Sequence, residues 1–187
     1  MMTGEQYRAS LRRLKREIYS NGERVESAVD YPLFRPHINA VAFTYDLSHD
    51  PRYEGVLTTT SHITGHPISR FTHIQQSRDD LVHKIQMIRL LGQLTGSCFQ
   101  RCAGLDALNA LYNTTFQVDK KYNTSYHSRF LKFLTYVQDQ DLMCEGAMTD
   151  PKGDRNLLPS KQPAPDMYLH MVARREDGIV VRGAKLH

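Results

Sequence analysis

Two cysteines four residues apart, Cys98-Phe-Gln-Arg-Cys102, are the residues best suited by type and spacing to chemistry. On a helix an i, i+4 pair projects both sulfurs from one face, which suits two-point attachment to one iron–sulfur cluster or metal ion. Complete ligation needs further ligands from elsewhere. The same thiols would also serve as small packing residues on an apolar stripe, and Cys144 reads as packing. A second string, Gly146-Ala-Met-Thr-Asp-Pro-Lys-Gly-Asp-Arg155, combines the Thr149 hydroxyl with cations at Lys152 and Arg155. Such a loop can present backbone N–H groups, a hydroxyl and positive charge to a phosphate or to the polar edge of a flavin ring. It is neither a P-loop nor a dinucleotide fingerprint, and the alternative is a turn held by aspartate side chains and Pro151. His62 and His66 have a metal-like spacing, but Gly65 and Pro67 oppose a helix there, so they read as solvated loop histidines.

These residues need elements to position them. Thr3 to Gln6 forms a capping-box pattern before Tyr7, Leu11, Leu14 and Ile18, which predicts an amphipathic first helix stopped by Asn21-Gly22. His37 to Leu47 predicts a second, and Tyr53 to Thr72 predicts loop. Ser77 caps a third helix ending near Gly92 or Gly96, with Leu81, Val82, Ile85, Ile88 and Leu91 as its apolar stripe. Cys98, Cys102, Leu105, Leu108 and Leu111 mark a fourth over 97–112, and Phe130, Leu131, Leu134 and Val137 a fifth over 127–139. After Gly146 the composition changes to turn formers and the prolines 159, 163 and 165. Strands are then expected over 167–173 and 179–184, joined through Glu176-Asp-Gly178. The fold class is mainly α with a C-terminal β-hairpin: a helical domain over 1–145, then a loop and the first hairpin of an incomplete β-domain over 146–187. A lone hairpin is marginal in water, so the remaining strands are expected from elsewhere in a longer protein or from a complementing chain.

Composition narrows the function classes. The chain has 187 residues, 24 Lys and Arg against 20 Asp and Glu, 40% hydrophobic residues and no Trp. That is ordinary globular composition, and a net charge of +4 without interleaved aromatics argues against nucleic acid. Apolar runs of four or five residues predict no membrane span, and three unevenly placed cysteines with no apolar export segment at the start lead us to expect a reducing cytoplasm.

Met2-Thr-Gly-Glu-Gln-Tyr7, Tyr31-Pro-Leu-Phe-Arg-Pro36, Tyr45-Asp-Leu-Ser-His-Asp-Pro-Arg-Tyr53, the two strings above and Glu176 to Lys185, in that order, resemble the flavin-dependent 4-hydroxyphenylacetate 3-hydroxylase superfamily. The resemblance covers essentially the whole chain and is strongest to the dehydratase and isomerase branch. It implies an acyl-CoA-dehydrogenase-like architecture whose middle β-domain begins near Gly146. It also implies FAD, contacted by Met148, Thr149, Asp150, Pro151, Lys152, Gly153, Asp154 and Arg155 and by His187. A [4Fe–4S] cluster held by Cys98 and Cys102 is implied too, with a further His and Cys outside this chain, and Gln100 lies near the substrate. The implied reaction takes an acyl-CoA, 4-hydroxybutyryl-CoA, to crotonyl-CoA and shifts the double bond of vinylacetyl-CoA, in a homotetramer. With two of four cluster ligands, the chain alone is expected to be inactive. The sister branch, FADH2-using aromatic hydroxylases, is expected to carry an Arg and a Tyr on the fourth helix where this sequence has Ala103 and Ala107. A non-catalytic helical module docking on a partner sheet is the remaining alternative.

Overall fold

The computed structural model describes residues 1–96 and 101–186. The chain divides into two compact units, Met1–Glu145 and Gly146–His187. Helices build the first. Helix α1 (Gly4–Arg13) starts where Thr3 Oγ1 accepts from the Gln6 N–H and Gln6 Oε1 accepts from the Thr3 N–H, so both orphan amides are satisfied. It ends at Leu14, short of Ile18, because that residue belongs to a small hairpin of β1 (Ile18–Ser20) and β2 (Glu23–Val25). Asn21 and Gly22, at φ 52° and 83°, make the left-handed turn that suits a two-residue hairpin. The pair expected to stop a helix instead reverses a strand.

Helix α2 (Arg35–Leu47) buries Val41, Ala42 and Tyr45 against Tyr7 of α1. The stretch expected to be loop contains a hairpin of β3 (Thr58–Thr60) and β4 (Pro67–Ser69), then a 3₁₀ turn, Arg70–Thr72. Consecutive threonines favour extended backbone, and Gly65 at φ 73° helps the chain turn back. Helix α3 (Arg78–Thr95) is capped by Ser77 and Asp80 and ends on the left-handed Gly96. Its expected stripe is largely not its core face: Leu81, Val82, Ile85 and Ile88 are exposed, whereas Met87 and Leu91 are fully buried.

Helix α4 (Arg101–Tyr122) runs ten residues past its expected end and packs against α5 (Tyr126–Asp139). The Asp119 carboxylate on α4 accepts from the Tyr126 and His127 amides and the Thr124 hydroxyl, tying down the first turn of α5. Leu108, Phe130, Leu134, Val137 and Ile74 form one apolar cluster, and Met87, Leu91, Leu105, Leu47, Leu57 and Phe71 another. Gln138 joins the layers, donating to the Thr72 carbonyl and accepting from the Ser61 hydroxyl, each at 2.8 Å.

The second unit is built on one antiparallel hairpin, β5 (His170–Arg175) and β6 (Gly178–Arg182), with an irregular register between Met171 and Ala173. Both strands sit a few residues from their expected limits, since the bulge and the turn at Glu176-Asp177 fix the pairing. Two isolated bridges lie beyond it, antiparallel from Thr149 to Leu186 and parallel from Tyr168 to Ala184.

Candidate functional site

At the opening of α4, Cys102 is half-buried. Cys98 and Gln100 lie outside the described residues, as does His187. Cys102 and Cys144 are in no disulfide, and Cys144 packs against the Leu108 and Phe130 cluster. No group of three or more His, Cys, Asp or Glu close enough to hold a metal ion occurs among the described residues. His62 stacks edge-on against Tyr112, 5.7 Å between ring centres, and His66 is exposed.

Arg101 is not among the site residues expected from the sequence. It is 2% exposed, and its guanidinium lies 4.3 Å from the Tyr45 ring centre and 4.2 Å from that of Phe71. Nη1 donates to Thr44 Oγ1 at 2.8 Å, while Nε and Nη2 have no hydrogen-bond partner among the described residues. The signal was available in the spacing: Arg101, Leu105 and Leu108 fall three and four apart, which puts the cation on the buried stripe of α4. Its charge reaches the neighbouring groups. Burial pushes the Cys144 thiol up and Arg101 pulls against it; burial raises the Tyr45 phenol to about 12, again opposed by Arg101.

A second buried polar group lies nearby in the same unit. Arg70 donates to the carbonyls of Val56 and Gly55, fastening the β3–β4 hairpin. His73 Nε2 lies 3.1 Å from Asp80 Oδ1, although neither ring nitrogen is aligned for a hydrogen bond. Burial lowers the His73 pKa, with Asp80 acting against it.

In the second unit, residues 148–155 form an exposed loop with fixed ends. Thr149 exchanges backbone hydrogen bonds with Leu186 and its hydroxyl donates to the same carbonyl, while Lys185 holds Asp150 at 2.6 Å. Gln162, which is buried, accepts from the Asp154 N–H at 3.0 Å and donates to the Asp154 carbonyl at 2.8 Å. A side chain at Gly153 would strike the Gln162 amide and the Met167 sulfur, so glycine permits this close approach. Pro151 is half-buried, Met148 is 74% exposed, and Lys152 and Arg155 are exposed without an ion-pair partner among the described residues. The loop is therefore a braced turn that leaves two cations and an apolar side chain available. The Thr149 hydroxyl and the Asp150 carboxylate are engaged within the unit.

Residues 3–187 match the model described as 4-hydroxyphenylacetate 3-hydroxylase N terminal, and the chain belongs to that family. Among its curated relatives, the 4-hydroxybutyryl-CoA dehydratase/vinylacetyl-CoA-Δ-isomerase of Clostridium aminobutyricum is 55% identical over all 187 residues, which are 38% of that protein. The 4-hydroxyphenylacetate 3-monooxygenase oxygenase component of Thermus thermophilus is 32% identical over 98% of the chain and 37% of its own length. Among solved structures, the oxygen-tolerant archaeal 4-hydroxybutyryl-CoA dehydratase from N. maritimus superposes with a TM-score of 0.89 at 50% identity, covering 98% of this chain and 36% of that one. An oxygenase component of 4-hydroxyphenylacetate 3-monooxygenase, complexed with FAD and 4-hydroxyphenylacetate, gives 0.77 at 30% identity over 99% and 38%. The chain thus spans little more than a third of the length of these relatives.

Proposed function

We propose that this chain is the N-terminal part of a flavin- and iron–sulfur-dependent dehydratase that converts 4-hydroxybutyryl-CoA to crotonyl-CoA and isomerises vinylacetyl-CoA. The observation that carries this reading is the 55% identity across the full chain to the Clostridium aminobutyricum enzyme, against 32% to the Thermus thermophilus oxygenase component. Ala103 and Ala107 support it, because neither offers the polar group a phenol needs.

Two thiols and a cationic loop fit the implied cofactors in kind. Soft thiolates suit iron–sulfur ligation, and Cys98 and Cys102 would hold two corners of a [4Fe–4S] cluster, with a His and a Cys from the rest of the protein completing it. Lys152 and Arg155, uncommitted to carboxylates among the described residues, would face anionic or polar atoms of FAD, with Met148 against its apolar surface and residues 149–154 and His187 lining it. Glycine at 153 and the Gln162 bracket would hold that loop in shape before anything binds, lowering the ordering cost. When bound, the flavin would supply one-electron chemistry for removing an unactivated β-proton and the cluster a Lewis-acid iron for the leaving hydroxyl. Gln100 would orient the substrate by its amide. The proposed domains are an acyl-CoA-dehydrogenase-like helical domain over 1–145 and the beginning of a β-domain over 146–187, in a cytoplasmic homotetramer.

The test joins the chain to the remainder of the protein, reconstitutes it anaerobically with iron, sulfide and FAD, and assays crotonyl-CoA. Iron, flavin and turnover are expected together. Turnover of a phenol with reduced flavin and no iron would assign the aromatic hydroxylase instead, and a soluble complex that takes up neither cofactor would leave a non-catalytic module.

A further inference from the structure

A guanidinium is the last group that should be left unpaired in a core, because it cannot discard its charge by losing a proton. Arg101 is nevertheless 98% buried and, among the described residues, its side chain has one hydrogen bond and two nitrogens without a partner. The Tyr45 and Phe71 ring faces compensate part of the charge, but neither accepts a hydrogen bond in the guanidinium plane. Among the described residues no carboxylate forms an ion pair with it. Asp141, itself buried, uses one carboxylate oxygen on the Met2 amide, Glu145 is exposed, and Asp80 is engaged by Arg70 and His73. Cys102 follows immediately on the chain, and the Cys144 thiol lies within reach of the same charge.

We propose that Arg101 is a positioning residue: its buried, incompletely paired guanidinium is the fixed counter-charge for an anionic group held at the thiol-bearing start of α4. This rests on the iron–sulfur reading above, in which that group is the thiolate-ligated cluster. The Thr44 hydrogen bond and the two rings clamp the guanidinium between α2 and the Arg70–Thr72 turn, so the first turn of α4 and its thiol are seated against a rigid wall. The fixed positive charge then favours the more negative state of whatever the thiols hold, raising its reduction potential. In the unliganded chain the same charge is a burden on stability, as residues kept for function commonly are.

The experiment compares wild type, Arg101→Met and Arg101→Lys in two measurements. The first is thermal melting of the unliganded 187-residue chain. The second is iron content and cluster potential, by anaerobic redox titration followed by electron paramagnetic resonance, in the reconstituted full-length protein. Arg101→Met, close in length and without charge, is expected to melt above wild type and to give a more negative potential, with Arg101→Lys restoring most of the potential. Met melting below wild type would make Arg101 a structural pillar and overturn the proposal, as would an unchanged potential in a fully loaded Met variant. If wild type takes up no iron, the cluster reading fails by itself; the melting comparison then decides alone, a rise keeping the anion site and a fall removing it.

Discussion

The two units of this chain bury their residues very differently. Among the described residues, Met1–Glu145 has three apolar clusters with Met87, Leu91 and Leu134 at zero exposure, and buried Gln138 has both ends of its amide hydrogen-bonded. Among the described residues of Gly146–His187 the only buried one is Gln162, while Met171, Val172, Ile179 and Val181 are exposed on its hairpin. Backbone pairing shapes the second unit and apolar burial stabilises the first, so the same substitution should have different consequences in each.

The largest contrast is between Leu134→Ala and Val181→Ala. Leu134 is fully buried at the α4–α5 interface, and its truncation should cost about 2–5 kcal/mol. Val181 is half exposed, and the equivalent change should stay within about 0.5 kcal/mol. Gly104→Ala belongs with the first: a Cβ there would overlap the Cys144 carbonyl, and because backbone cannot rotate away as a side chain can, the loss should be about 1–3 kcal/mol or more. Urea midpoints for the three variants check this, and equal effects at Leu134 and Val181 would erase the distinction.

The same contrast explains what was legible in the sequence. Local chemistry read well at the Thr3 capping box, the Ser77 cap, the stop near Gly92 or Gly96 and the α5 stripe; on α4 Leu105 and Leu108 are buried as spacing implies, whereas Leu111 is exposed. Two hairpins did not, because their strands are three residues long and a period of two cannot establish itself over so few positions. On α3 hydrophobicity alone could not choose the inward face, since Ile85 is as apolar as Met87 and only tertiary packing separates them. Of the site, Cys102 and the 148–155 loop were visible as residue types. Arg101 was not, because a charged residue is ordinarily assigned to solvent and only its place in the Leu105–Leu108 register argues otherwise.

A smaller effect should follow from acid. His73 and His62 both have pKa values lowered chiefly by burial, with Asp80 opposing the shift. A folded pKa below the unfolded one means the folded state binds fewer protons, so this contribution is complete above the ordinary value near 6.5 and is lost as pH falls through the folded values. Asp80 acts in the same sense at lower pH: burial raises its pKa, but the Gln76 amide, His73 and Ser77 together bring it below the ordinary carboxylate range. The first unit should therefore have a lower urea midpoint at pH 5 than at pH 7.5. His73→Gln should flatten that dependence, and an unchanged slope would remove His73 as a contributor.

Within the second unit, Gln162→Ala removes the bracket on Asp154 and leaves its part-buried amide and carbonyl without that partner, a loss of about 1 kcal/mol confined to that unit. It should appear as faster proteolysis within residues 153–158, with the unfolding midpoint of the first unit unchanged. A drop in that midpoint would show that the two units share stability.

Arg155→Ala should have the least effect on folding. Its side chain is exposed and has no ion-pair partner among the described residues, so stability should stay within about 0.5 kcal/mol. A cation that contributes nothing to the fold is free to serve a ligand. FAD affinity of the reconstituted full-length protein, measured by flavin fluorescence, should weaken several-fold in Arg155→Ala and further in the double variant with Lys152→Ala. Arg155→Lys should recover part of the loss, because charge returns without the planar fork. Undiminished affinity in the double variant would make the 148–155 loop a structural turn, leaving the second unit with an exposed apolar surface and no role in holding flavin.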